Sequence, residues 1–379
     1  MLRSKAILFK KIENKTITWF ENTNKYIVLE HTAAKIIADL TKSIPIETIA
    51  RNLSEELSIP SDKVLAFVSD LEKKLYIPNA VQKENTITSN TDFKEPKVYK
   101  FSKKYLINKR IIKVDFESEV LLYFVQPKFA HLETENNRKE DVNYRVFTHN
   151  KKIILLVDKK FIGAWNEHEI HFFQGKFSMQ LVQTIHQKEE REWLGVFHAS
   201  AVSNTKHSML FLGDSGNGKS TSLALLQANG FDCLADDFVP IHAENQEVYS
   251  FPSAISIKKN SLKTLLPIYP ELETAGEFHF KRLNKIVRYL PPNNDNYTNH
   301  LPCKALVFIK YQEKSELVFH EISKIKAFEK LIPDSWLSPK KENAQLFLEW
   351  FEKLPCYEIT YSNNHKLIEA VTKLFTNEL

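Results

Sequence analysis

The chain reads as an α/β protein: a P-loop core with a β-rich leading segment, preceded by a small winged-helix-like module. Three observations carry that expectation. Three of the eight glycines fall within six residues, at Gly213, Gly216 and Gly218. The segments flanking them read as strand and helix. Upstream, apolar residues recur at strand spacing beyond residue 98 and at helical spacing before residue 80.

The 379 residues are 43% hydrophobic and 26% charged, an ordinary globular composition with room for two or three domains. The net charge of +5 is spread along the chain without a basic arm, which speaks against nucleic acid as a partner. Cys233, Cys303 and Cys356 are isolated and odd in number, so neither a disulfide framework nor a zinc site is expected. Lys10, Lys11 and Glu13 interrupt any apolar signal segment, and no run of apolar residues is long enough to span a membrane. The expectation is a cytoplasmic protein, with self-association left open.

From the N-terminus, Ile27-Val28-Leu29 reads as a strand and Thr32 to Leu40 as a helix capped by Thr32. Ile46 to Leu53 is apolar at helical spacing. A third helix from Pro60 places Val64, Phe67, Val68 and Leu71 on one face, with Ser61 or Asp62 as its cap. These elements define a module over residues 1–82. A polar linker follows at 83–97, and a single further domain over 98–379, β-rich to 195 and nucleotide-binding from 196. Ile111–Phe116, Val120–Val125, Tyr144–Phe147 and Ile153–Val157 read as strands. His168 and His171 fall in a strand-like stretch whose alternation separates them, so they are not expected to share a metal.

Gly213-Asp214-Ser215-Gly216-Asn217-Gly218-Lys219-Ser220 fits the nucleoside-triphosphate loop, between an apolar strand ending at Leu212 and a helix from Thr221 stopped by Gly230. Glycines let such a loop wrap phosphates and aim N–H groups inward. Residues Gly213 to Thr221 are therefore the candidate ATP site, with Lys219 reaching the β and γ phosphates and Ser220 a ligand to Mg²⁺. Phe231 to Ile241 reads as a strand carrying the paired carboxylates Asp236 and Asp237, suited to holding the metal and accepting a proton. Trp193 to Val202 reads as another strand, with His198 within it. Arg282, Lys285 and Arg288 are further candidates for phosphate contact.

His198, the loop Gly213 to Ser220 and Ala235-Asp236-Asp237 together resemble the HPr kinase/phosphorylase family, whose P-loop architecture is shared with phosphoenolpyruvate carboxykinases. The resemblance implies that Asp236 is the base toward a serine hydroxyl, that Asp237 assists the metal, and that His198 lies near the transferred phosphate. Thr221 stands where those enzymes carry an acidic residue, and no glycine-Arg-Asn signature follows the paired Asp. The resemblance therefore does not extend to phosphorolysis or to HPr as substrate. The run from Ile27 to Leu75 looks like the PqqD-like peptide-binding domains, which hold a precursor peptide by strand addition.

The expectation is an ATP- and Mg²⁺-dependent kinase that phosphorylates a hydroxyl, serine by the resemblance, on a peptide or protein held by the N-terminal module. Two alternatives stay open: a small-molecule or carboxykinase-like kinase, and a nucleotide-regulated peptide chaperone that transfers nothing.

Overall fold

A computed structural model describes residues 5–81, 93–280 and 285–378. It is a mixed α/β structure with several sheets. The chain divides into two compact units, Met1–Thr88 with Ile322–Lys353, and Ser89–Glu321 with Leu354–Leu379.

In the first unit, β1 (Ile7–Ile12), β2 (Lys15–Phe20) and β3 (Lys25–Glu30) form an antiparallel sheet. The sequence reading saw only the last of these; tight turns with Glu13 and Asn24 at positive φ create the other two. The sheet leads into α1 (His31–Thr41), α2 (Ile46–Leu57) and α3 (Ser61–Leu71), with α4 (Ile77–Ala80) a turn beyond. Phe20, Ile36, Ile37, Ile49, Leu53, Val64 and Val68 make the core, while Phe67 is 49% exposed. Thr32 and Ser61 lie within their helices and make no cap; the N-cap positions are Glu30 and Pro60.

The opposite face of this sheet explains why Ile322–Lys353 does not stay with the rest of 98–379. Tyr26 meets Phe328 and Phe347 at ring distances of 6.1 and 5.4 Å, from helices Lys324–Leu331 and Lys341–Lys353. Asn24 Nδ2 donates to Leu337 O at 2.8 Å. Period-two alternation puts Tyr26 and Trp19 on the face that Phe20 leaves free.

In the second unit, β4 (Phe101–Ile107), β5 (Arg110–Phe116), β6 (Val142–His149), β7 (Lys152–Val157) and β8 (Lys160–Asn166) lie side by side in chain order. Val120–Val125 is a helix instead of a strand, α5 (Glu119–Val125), because Ser118 caps it by accepting from Leu121 N. The stretch holding His168 and His171 is likewise helical. A capping box of Asn166 and Glu169 opens a 3₁₀ turn that runs into α6 (Ile170–His186), and two-residue alternation no longer applies. The end of the expected linker is packed: the Phe93 ring stacks on Phe161 at 5.4 Å, and Glu95 pairs with Arg145 at 2.6 Å. Its earlier part lies outside the described residues.

The main sheet contains β9 (Trp193–Phe197), β10 (Ser200–Ser203), β11 (Ser208–Leu212), α7 (Lys219–Gln227) following it, β12 (Asp232–Asp236), β13 (Val239–His242) and β14 (Glu247–Tyr249). Then come β15 (Ile255–Lys258), β16 (Phe278–Phe280) and β17 (Lys285–Leu290), a separate small antiparallel sheet, and the long β18 (His300–Tyr311). The main sheet runs β12-β10-β11-β18-β14-β13-β9, with Cys356–Tyr361 parallel to β18 on its other flank. β11 is wholly buried and parallel to β18. Leu223, Ala224 and Leu226 of α7 pack with Val307, Ile309, Ile359 and Val371, so both strands and the C-terminal helix fix the P-loop's exit. No helix among the described residues is long and apolar enough to cross a membrane.

His186 closes α6 in this interior, with Nε2 2.8 Å from Ser250 O and its ring edge-on to Trp193 and Tyr249. Burial pushes its pKa down to about 4. The unfolded chain therefore takes up this proton first, and the group's contribution to stability is present above pH 6.5 and lost as pH falls toward 4. Thermal unfolding should show stability declining across that window, with His186→Gln removing about 1–3 kcal/mol of the decline. An unchanged acid slope in the variant would contradict this.

Candidate active site

The P-loop is pressed against the strand ends beside it. Gly213 has φ +138°, and a Cβ there would stand 2.7 Å from Ile309 O; at Gly218, with φ +95°, it would stand 2.9 Å from Tyr361 Oη. Both positions need glycine for conformation and for space. Tyr311 N donates to Asn217 O at 3.0 Å, and Ser222 Oγ and Tyr361 Oη are 2.8 Å apart. Lys219 Nζ bonds Gly213 O at 2.5 Å and Asp214 O at 3.4 Å, holding the loop closed on itself. Thr221 Oγ1 meets Ser261 Oγ at 2.7 Å.

Two irregularities build the rest. The reading of Trp193 to Val202 as one strand gives way to β9 and β10 with a break between: Ala199 N turns back to Phe197 O, and His198 stands 40% exposed. Phe231 to Ile241 likewise divides into β12 and β13, broken at Asp237, whose φ is +68°. The two breaks face each other, with His198 Nδ1 3.3 Å from both Asp237 Oδ1 and Asp237 O.

The two carboxylates sit in different surroundings. Asp236 is 2% exposed. Its Oδ1 accepts from Ser200 Oγ at 2.6 Å, its Oδ2 from Ser256 N at 3.1 Å, and Ser220 Oγ lies 3.2 and 3.0 Å from the two oxygens. Burial, with the neighbouring Asp237 charge, raises its pKa, and the hydrogen bonds from Ser200, Ser256 and Ser220 oppose that rise. Asp237 is partly exposed, 3.5 Å from Lys128 Nζ.

Asp236, Asp237, His198 and the P-loop all line one cavity of about 780 Å³. Lys128, Lys258 and Lys259 line it too, none of which the sequence reading singled out; Lys258 Nζ reaches Ser215 Oγ at 2.8 Å. Four lysines counting Lys219 suit a polyphosphate. Helix α6 supplies His171, Gln174, Gly175 and Ser178. Arg288 is spent elsewhere: it donates to Leu272 O and Glu273 O and pairs with Glu277, tying down a turn. Arg282 lies outside the described residues, as does the side chain of Lys285.

Among the described residues no three His, Cys, Asp or Glu side chains gather as a metal-binding group. The donors present, the Ser220 hydroxyl and two carboxylates, are hard oxygens of the kind Mg²⁺ takes alongside phosphate and water. They fit that ion.

No protein-family model matches the chain, and no curated protein does. Among solved structures, the HPr(Ser) kinase/phosphatase from Coxiella burnetii is similar over 48% of this chain and 95% of that one, at 14% identity and a TM-score of 0.22.

The raised pKa of Asp236 means that the folded state loses stability from this group as pH climbs from about 4 through the raised value. Asp236→Asn keeps an oxygen for Ser256 N and removes the buried charge. The variant should be as stable at pH 7.5 or more stable, by roughly 1–2 kcal/mol of unfolding free energy, with the difference closing near pH 4. A variant clearly less stable at pH 7.5 would show that the charge is stabilising there.

Proposed function

We propose that the second unit is an ATP- and Mg²⁺-dependent phosphotransferase acting on a hydroxyl, with serine in a peptide or protein as the acceptor. The observation that carries the reading is the single basic cavity joining a P-loop to two unlike carboxylates.

In this reading Lys219 leaves Gly213 O for the β and γ phosphates, and the loop's N–H groups cradle them. Bound Mg²⁺ supplies neutralisation of charge on the phosphate oxygens. Ser220 and Asp236 would hold it, since both oxygens of Asp236 lie against the Ser220 hydroxyl. The roles that the resemblance implied for the two carboxylates are thus exchanged. Asp237, at the open side beside His198 and Lys128, takes the proton. The serine oxygen forms a bond to the γ phosphorus as the bond to the β–γ bridging oxygen breaks. ADP leaves with that electron pair, and the serine proton passes to Asp237. Lys128 and His198 face the charge that develops.

The first unit, on this reading, holds the peptide. Support comes from a three-stranded sheet in which, among the described residues, β1 and β3 each pair only with β2, followed by helices; Phe9 of β1 and Phe67 of α3 are exposed.

Assays with labelled ATP and synthetic serine peptides separate the parts. Lys219→Ala should weaken ATP binding at least tenfold. Asp237→Asn should leave ATP affinity within about threefold while lowering kcat by a factor of about 100 or more. Equal loss of ATP affinity in both variants, or transfer undiminished in Asp237→Asn, would refute the division of labour.

A further inference from the structure

A second cavity, of about 720 Å³, adjoins the first. His171 and Gln174 of α6 line both, so the two share a wall on that helix. Gly175, on the same helix, lines the first cavity with nothing within 4 Å of where its Cβ would stand.

The chemistry of the two chambers differs. The first has four lysines, whereas no lysine or arginine among the described residues lines the second. Leu121, Tyr123, Phe124, Ile153, Ile170 and Phe280 form its apolar walls, and Glu167, His168, His171 and His279 are among the polar residues that also line it. The Tyr123 ring meets Phe278 and Phe280 at 5.6 and 5.7 Å, and its hydroxyl accepts from His279 N. An apolar group meets a concave, largely apolar surface there.

The chamber also lies on the acceptor's side of the site. Helix α5 forms one wall, and the turn directly after it carries Lys128 to within 3.5 Å of Asp237. The wall shared through His171 and Gln174 sets the chamber beside the cavity that holds Asp237, where the neighbours of an acceptor serine would lie.

Resting on the kinase reading above, we propose that this chamber selects the acceptor by taking a large apolar side chain, aromatic or branched, close in sequence to the serine. Burying one such side chain is worth about 1.5–3 kcal/mol, or tenfold and more in affinity.

The test uses the full-length protein with a non-hydrolysable ATP analogue and Mg²⁺. Two fluorescein-labelled peptides, alike except that the serine is flanked by Phe or by Ala, are titrated by anisotropy. The Phe peptide should bind at least tenfold tighter. Val120→Asp, at a chamber residue 61% exposed, and Phe280→Ser should each bring the two peptides within about threefold. Unchanged affinity for the ATP analogue reports that each variant is folded. Equal binding of both peptides by the unaltered protein overturns the proposal. So does a preference that survives in both variants, or competition between the Phe peptide and the analogue, which would make the chamber a nucleobase seat. If the preference holds but ATP phosphorylates neither peptide, the chamber stands and the kinase reading falls.

Discussion

The contact between Ser220 and Asp236 is the constraint on which the site's architecture depends. It joins the first turn of α7 to the last residue of β12, and so fixes the Gly213–Gly218 loop against a buried carboxylate. Ser200 and the Ser256 backbone complete the carboxylate's shell, drawing in β10 and β15. Glycine at 213 and 218 lets the loop lie this close to Ile309 O and Tyr361 Oη, where a Cβ would stand 2.7 and 2.9 Å from them. A charge this deeply buried is costly, and the three donors around it, Ser200 Oγ, Ser220 Oγ and Ser256 N, offset much of that cost.

The candidate site in this unit is built at the places where regular structure stops. Continuous strands through Phe197–Ser200 and Asp236–Val239 would bury or scatter His198 and Asp237. The breaks bring them to 3.3 Å at the open side of the cavity. The left-handed backbone at Asp237 is an irregularity that Asp tolerates better than most residues, and it lets successive carboxylates serve one cavity from different depths. One is dry and held by serines. The other is partly wet and held by a histidine and a lysine.

The P-loop was legible in the sequence because its physics demands glycine at fixed spacing in a chain that uses glycine sparingly. The paired Asp was legible because it ends an apolar strand just downstream. Lys128, Lys258 and Lys259 gave no such signal: each is an ordinary surface-type residue in sequence, and only the tertiary fold gathers them. Helices α5 and α6 were hidden for a related reason. Their cores are rich in aromatic and branched residues that pattern like strands, and the deciding information lay in the short polar caps Ser118 and Asn166. The grouping of Ile322–Lys353 with the N-terminal unit rests on aromatic packing against Tyr26 across some three hundred residues, which no local pattern encodes.

The central claim is that Ser220 and Asp236 complete a Mg²⁺–nucleotide shell in this fold. Calorimetric titration of ATP into the protein with and without Mg²⁺ tests it most directly. The account predicts binding at least tenfold tighter when Mg²⁺ is present, with that gain lost in Ser220→Ala. ATP affinity indifferent to Mg²⁺, or a full Mg²⁺ effect retained without the Ser220 hydroxyl, would contradict it.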